Sequence, residues 1–355
     1  MSQITGIETR PFRLPLRGSL SWGKHGHLSQ LEHVLVQVTT ASGHQGIAEA
    51  PVRTTIYGET VKTIEAIIAD VLAPTLIGVD CTDVPTISDI LWTLPNNYAA
   101  KGALDIALAD AAAKTLGKSL LEHVGGSRSR IEVSYILGIS DDIESAIQEA
   151  LRVARAGVYV FKIKVGRDST HDRVLIQALQ QELSDYDITL YADANELLEA
   201  ETAAHDLDAL VNLGIAYIEE PIPIQDIQTR MRLREANILP IIADDACFTY
   251  AALERELTLN TFDILNIKPA RTGVYTSLKM IEFARQAGKK VMIGSQASSG
   301  LGTLHAAVLA SNQKVTYPSE LSFPLKLHKD SIETSFTYQD GYLLTSQLEN
   351  INCLL

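Results

Sequence analysis

The sequence predicts an α/β protein: a closed parallel barrel of the (β/α)8 type, in the form (β/α)7β, preceded by an α+β capping module. Three observations predict it. From Gly125-Gly126 onward, short apolar runs alternate with amphipathic stretches, as repeated strand–helix units do. The candidate strands are almost continuously apolar, as strands covered by helices must be. Eight such strands with about seven helices between them favour a closed barrel, and the charged residues collect at the strands' C-terminal ends, where barrels keep their chemistry. An open doubly wound sheet is the alternative on pattern alone, but no G-x-G-x-x-G follows a strand and no Walker A loop is present, so a nucleotide cradle has no support.

The bulk properties agree with a large folded core. A chain of 355 residues suggests about two domains. With 46% hydrophobic and 21% charged residues it can bury a large core, and a net charge of −13 argues against nucleic acid or an anionic membrane as partner. Acidic groups gathered inside would suit a divalent cation instead. The start, Met1-Ser-Gln-Ile-Thr-Gly-Ile-Glu, has neither a basic stretch nor an apolar run, so no signal peptide is expected. No run is long enough to cross a bilayer. Cys81, Cys247 and Cys353 are scattered, which fits a reducing cytoplasm.

Residues 1–125 read as the capping module. A strand covers Ile4 to Leu16. Arg17 to His27 reads as a Gly-rich loop carrying Trp22, Lys24, His25 and His27. His33–Thr39 and Gln45–Ala50 form a hairpin across Ser42-Gly43. Thr60–Val71 and Asp83–Leu94 have helical spacing. Asn97–Leu116 is an Ala-rich, tightly packed helix stopped by Gly117.

Residues 126–324 read as the barrel. Its strands are Val133–Gly138, Val160–Val165, Ile188–Ala192, Ala216–Glu219, Pro240–Ala243, Ile264–Ile267, Val291–Gly294 and Val315–Tyr317. Helices such as Ile143–Ala156, Asp172–Leu183, Thr202–Leu213 and Gly273–Ala287 lie between them. Residues 325–355 alternate weakly and are expected to return to the capping module.

The second barrel strand, Val160-Phe-Lys-Ile-Lys-Val-Gly166, places Lys162 and Lys164 on one face. Two inward ammonium groups need a reason, because unpaired buried charge is costly; an exposed edge strand with lysine gatekeepers is the other reading. Three later strands end in a carboxylate: Asp193, Glu219 and Asp244. On neighbouring staves these would converge, and hard oxygen ligands select Mg²⁺, with Mn²⁺ as the alternative. A lone Asp there more often caps a helix. Glu220 and Asp245 follow two of the three, and either orient ligands or face solvent. Lys268 ends the sixth strand, across the barrel from Lys164. Two amines flanking a metal-bound substrate suit proton transfer on both faces of one carbon next to a carboxylate. A working base must fall from about 10.4 toward 7–8, and the neighbouring ammonium of Lys162 is expected to push it there. A purely structural pairing of Lys268 with Asp244 or Asp245 is the competing reading.

K-x-K, D-x-N, E-E-P, D-D and N-x-K-P-x-R-x-G, in this order on successive strands, resemble the enolase superfamily, and within it the muconate-lactonizing subgroup. That subgroup includes muconate cycloisomerases, dipeptide epimerases, N-acylamino acid racemases and o-succinylbenzoate synthases. The resemblance covers most of the chain and extends to Ala103–Asp110 with Gly117-Lys118. It implies Asp193, Glu219 and Asp244 as Mg²⁺ ligands, Lys164 and Lys268 as the acid/base pair, and Lys162 steadying the substrate carboxylate. Asn195, Glu220 and Asp245 would support that set. Asp244-Asp245 departs from the usual Asp-Glu. Gln296 stands where lactonizers tend to carry Glu, which speaks against lactonization. Pro318-Ser-Glu-Leu321 replaces the Asp-x-Asp with which dipeptide epimerases hold an ammonium, leaving Glu320 as the substitute. Ser295, Ser298 and Ser299 either bind a polar substrate end or are loop hydroxyls. Trp22, Lys24, His25 and His27, with Arg53 and Tyr57 nearby in sequence order, are expected to cover the substrate and to select an anionic or aromatic distal group.

The expected activity is Mg²⁺-dependent abstraction of a proton α to a carboxylate in a small-molecule substrate, leading to racemization or epimerization of an amino-acid derivative or dipeptide. Cycloisomerization, dehydration and β-elimination use the same intermediate and stay open. A Schiff-base aldolase and a non-catalytic metal-binding barrel are readings from other classes. A homo-oligomer is expected.

Overall fold

In a computed structural model of the chain, residues 2–24, 26–333, 335–349 and 353–355 are described. The N-terminal module opens with three antiparallel strands, β1 (Ile4–Trp22), β2 (Gly26–Thr40) and β3 (Gln45–Pro51). The first strand runs beyond its expected end at Leu16. Pairing slips after Pro15, where an N–H is missing, and resumes at Leu20↔Leu28. The stretch expected to be a loop is therefore mostly a twisted β-ribbon, with Trp22 and His27 in paired strand. His25 lies outside the described residues.

Helix α1 (Val61–Ala66) starts at a capping box between Thr60 and Thr63. It passes into a π-helical segment, Ile67–Leu72, and then α2 (Ala73–Leu76). The expected single helix is broken because Pro74 has no N–H to continue the ladder, and the wider turn absorbs the defect. Helix α3 (Val84–Thr93) follows. Helix α4 (Tyr98–Thr115) is buried along nearly its whole length. Its small residues explain why. A Cβ at Gly46 of β3 would stand 1.9 Å from the Ala107 carbonyl oxygen, and one at Gly102 would stand 2.4 Å from that of Ala270. The helix is thus clamped between the N-terminal sheet and the barrel. The short α5 (Leu120–His123) ends the module.

After β4 (Arg130–Glu132) the barrel begins: β5 (Ser134–Leu137), α6 (Ile143–Arg155), β6 (Val160–Lys164), α7 (Ser169–Glu182), β7 (Thr189–Asp193), α8 (Ala203–Asn212) and β8 (Ile215–Glu219). Then come α9 (Ile227–Ala236), β9 (Ile241–Ala243), α10 (Tyr250–Leu259), β10 (Ile264–Ile267), α11 (Pro269–Gln286), β11 (Lys290–Ile293) and α12 (Gly300–Ala310). Strands β5 to β11 form one parallel sheet in chain order.

The eighth strand expected at Val315–Tyr317 is not a regular strand. Pro318 interrupts it, since proline cannot donate to a ladder. The segment closes the barrel all the same. The N–H groups of Tyr317 and Glu320 donate to Val291 and Ile293 on β11, and Ser319 exchanges bonds with Glu132 and Ser134 on the other side. Inside, Val160, Tyr191, Tyr217, Ile242, Ile264 and Met292 fill the lower barrel, with Tyr191 and Tyr217 stacked at 4.7 Å.

The C-terminal stretch touches both parts. Leu327 bridges to Leu16 of β1, while β13 (Tyr342–Leu344) pairs with β4 at the N-terminal end of the barrel and β12 (Tyr338–Gln339) pairs with β13. Among the described residues, no helix is long and apolar enough to cross a membrane.

Candidate active site

The side chains that converge at the barrel's C-terminal mouth come from consecutive staves. On β6, Lys162 is the register partner of Tyr191 and Lys164 that of Asp193; on β7 and β8, Asp193 is opposite Glu219. Parallel pairing at one height therefore brings these groups together. Lys162 is 2% exposed. Its Nζ donates to Glu219 Oε1 at 2.6 Å and Glu320 Oε1 at 2.7 Å, and lies 3.0 Å from Asp193 Oδ2. Lys164 Nζ donates to Asp193 Oδ2 at 2.5 Å and to Asn195 Oδ1 at 2.9 Å. Neither lysine is an edge gatekeeper: both point inward and both are paired.

The opposite wall is built from β9 and β10. Lys268 Nζ donates to Asp244 Oδ2. Arg271, one turn further on, donates to Asp244 Oδ1 at 2.9 Å, to the Asp244 carbonyl at 2.8 Å and to Asp245 Oδ1 at 2.7 Å. Glu220 takes up the backbone: its carboxylate accepts the Asp244 and Ala246 N–H groups at 2.7 and 2.9 Å. Asn266 Nδ2 donates to Glu219 Oε2 at 2.9 Å. Asn195 and Glu220 adopt positive φ, 44° and 38°, a conformation that non-glycine residues hold mainly where surroundings impose it, often at functional sites.

The charges respond to this crowding. Burial pushes Asp193 upward, but Lys162 and Lys164 overcome it and hold the acid well below the usual carboxylate range. Asp244 is drawn down to about 2, as Lys268 and Arg271 outweigh burial. Glu219 moves the other way: burial raises it, and Asp193, Asp244 and Glu320 add to the rise against Lys162. Burial lowers Lys162 and Lys268, yet their carboxylate partners carry both above the normal lysine value.

The remaining candidates divide. A cavity of about 100 Å³ is lined by Lys162, Lys164, Lys268, Asp193 and Asp244, with Trp22 and Gln296 at its rim. Trp22, Leu20 and Ile56 bring the N-terminal module over the mouth. Gln296 is buried, and its Nε2 has no partner among the described residues. Arg53 Nη2 fixes the same loop by donating to the Gln296 and Ala297 carbonyl oxygens at 2.5 and 3.1 Å. Glu320 does not stand free as an ammonium ligand: one oxygen accepts from Lys162 and the other from the Ser295 N–H at 2.7 Å. Lys24 is exposed and does not line the cavity. Ser298 is tied back by its N–H to Ser295 Oγ at 3.2 Å, and Ser299 is bound to Glu49 of β3. Sequence reasoning passed over Asn266, Arg271 and Tyr191. The first two lie within N-x-K-P-x-R, and Tyr191 precedes Asp193 by one alternation of the strand.

Among the described residues, no three acids, histidines or cysteines stand grouped as a ready metal cage; lysine and arginine nitrogens take the carboxylate oxygens instead. The donor set still fits a hard dication. Asp193, Glu219 and Asp244 are buried carboxylates on neighbouring staves, with no sulfur or imidazole in the cavity wall among the described residues. Glu219's proton affinity is raised first by burial and further by the acids around it, and a divalent ion relieves that second contribution.

The comparisons with known proteins agree with this geometry. Residues 11–125 match the mandelate racemase / muconate lactonizing enzyme N-terminal domain, and residues 145–348 match the enolase C-terminal domain-like family. The chain is 31% identical over 317 residues to the D-Ala-D/L-Ala epimerase of Cytophaga hutchinsonii, covering 88% of this chain and 85% of that one. A muconate lactonizing enzyme from Mycobacterium smegmatis, solved with muconolactone, superposes with a TM-score of 0.91 at 32% identity, over 96% of this chain and 94% of that one. A dipeptide epimerase from Cytophaga hutchinsonii, solved with Mg and the dipeptide D-Ala-L-Val, gives 0.86 at 29% identity, over 96% and 93%. The chain belongs to the mandelate racemase / muconate lactonizing enzyme family of the enolase superfamily and is one of its isomerases.

Proposed function

We propose that the protein is a Mg²⁺-dependent racemase or epimerase that moves a proton at the carbon α to a carboxylate, on an amino-acid derivative or a dipeptide. One observation carries this reading. Counting staves, β7, β8 and β9 separate β6 from β10 on one side, and β11, the segment 316–320 and β5 separate them on the other. Lys164 and Lys268 therefore approach the cavity from opposite walls.

Asp193, Glu219 and Asp244 would hold the ion, Mg²⁺ or Mn²⁺, which supplies positive charge for the substrate carboxylate and for the charge that builds on it as Cα loses its proton. Lys164, its Nζ positioned by Asp193 and Asn195, takes the proton from one face. Lys268, kept as an ammonium by Asp244, returns one to the other face. The roles reverse for the opposite stereoisomer. Lys162, fixed between Glu219 and Glu320, keeps a positive charge beneath the substrate carboxylate. Trp22, Leu20 and Ile56 restrict water at the mouth.

The test is exchange in D₂O with Mg²⁺ across a set of N-acyl amino acids and dipeptides, followed by proton NMR and circular dichroism. Deuterium at Cα with loss of chirality is the expected result. Turnover without either would end the reading. Cycloisomerization is the second reading, favoured by the superposition on the enzyme solved with muconolactone; Gln296 in place of a glutamate at the mouth counts against it.

A further inference from the structure

A second cavity, of about 560 Å³, lies where the N-terminal module meets the barrel. Its size falls within the ~300–1,000 Å³ of small-ligand pockets. Trp92 and Tyr98 form its wall on the N-terminal module, and Phe248 and Tyr250 on the barrel. Three cations line it, Lys101, Arg271 and Lys279, and no carboxylate does among the described residues. Arg271 also reaches the catalytic centre through Asp244 and Asp245, but its Nε has no partner.

Arg271 is paired with Asp244 and Asp245, but the two lysines are not paired. Among the described residues, neither Lys101 nor Lys279 has an ion-pair partner. Lys101 is 2% exposed; its Nζ donates to the Leu94 carbonyl at 2.6 Å and otherwise sits over Trp92 and Tyr98, 4.9 and 5.1 Å from the ring centres. Burial pulls this ammonium down to about 8, against the attraction of Glu59, because loss of water disfavours the charged form. The nearest acids, Glu59 and Asp105, act on Lys101 and Lys279 without forming an ion pair, and their oxygens accept from the backbone. Glu59 accepts the Ala99 and Ala100 N–H groups, and Asp105 accepts those of Val274 and Tyr275. The first turn of α10, Tyr250 and Ala251 after the cap Thr249, lines the same space and adds the positive end of a ten-residue helix.

We propose that this cavity binds a small aromatic anion, its ring held among Trp92, Tyr98, Phe248 and Tyr250 and its anionic group received by Lys101, Lys279 and the start of α10. The site is separate from the catalytic cavity and does not depend on the reaction assigned there.

Calorimetric titration of the full-length, Mg²⁺-loaded protein with benzoate and with phenyl phosphate tests it, with benzyl alcohol as the neutral control. Saturable binding of the anions but not the alcohol is expected. It should survive Asp193→Asn, which alters only the catalytic centre. Lys279→Glu, a change at an exposed residue that leaves the core intact, should weaken it at least about tenfold, as loss of a charged contact does. Lys101→Met should do the same. Binding indifferent to Lys279→Glu, binding that disappears with Asp193→Asn, or no saturation would overturn the proposal, as would burial of this face against a second copy of the chain in sedimentation.

Discussion

Lys164 and Asp193 are register partners across the β6–β7 ladder, and their side chains meet at 2.5 Å on the cavity wall. Lys268 stands on the opposite wall with its own aspartate. This symmetry predicts one-sided variants. Lys164→Ala should still exchange the α-proton of the stereoisomer that faces Lys268, and Lys268→Ala that of the other. Each should lose racemization by roughly 10²–10⁴-fold, the usual contribution of a positioned acid or base. Proton NMR in D₂O on each pure stereoisomer reads this directly. Exchange of both stereoisomers in either variant would leave a single-base mechanism.

A metal at Asp193, Glu219 and Asp244 must stabilise the folded chain in proportion to its binding. At one hundred times its dissociation constant the gain is about 2.7 kcal/mol. Mg²⁺ should therefore raise the melting temperature of the wild type, and EDTA should reverse that rise together with activity. Asp244→Asn should lose most of the Mg²⁺-dependent shift. An equal shift in variant and wild type would place the ion elsewhere.

Arg271 holds Asp244 and Asp245 from a nearly waterless position, 1% exposed. Replacing it by methionine removes three donated bonds and leaves Asp244 with Lys268 alone. Breaking one side of a buried ion pair costs about 3–5 kcal/mol, and the lower end is expected because Asp245 is partly exposed. Urea unfolding measures it. A cost below about 1 kcal/mol, the value of a surface pair, would show that Arg271 is not needed to hold Asp244.

The strands and the charged strand ends could be read from the sequence because both are local patterns. Lys162, Lys164, Asp193, Glu219 and Asp244 each end or nearly end an apolar run, and strands of one sheet bring such ends to one height. What the sequence did not disclose depends on the third dimension. The closing stave at 316–320 lacks a regular ladder because of Pro318, so no alternation marks it. The ribbon that carries Trp22 on β1 and His27 on β2 reads as a loop in sequence because glycine and histidine are poor strand signals. Nothing local in the sequence reveals that Lys162, 158 positions away, binds Glu320. Arg271 was hidden for the same reason: its partners come from a different strand.

Asp105 joins the two parts of the molecule and supplies a pH test away from the catalytic centre. Helix α11 kinks at Gly273, whose φ of 67° a side chain could not share with the Asp105 carboxylate 2.4 Å from its would-be Cβ. The kink turns the Val274 and Tyr275 N–H groups onto Asp105 Oδ1. Burial raises this acid more than those N–H groups and Lys279 lower it, and its pKa reaches about 7. The folded state thus binds the proton more tightly than the unfolded chain. Its stabilising contribution is complete below about pH 4 and is lost as the pH rises through about 7, by on the order of 4 kcal/mol at 1.36 kcal/mol per unit. Asp105→Asn keeps an acceptor oxygen for Val274 but cannot ionise. Between pH 5 and pH 8 the wild type should lose about 3 kcal/mol of stability to urea that the variant keeps, part of the total being lost already below pH 5. A difference that does not change between these two pH values would mean that Asp105 is already ionised in the folded protein at pH 5.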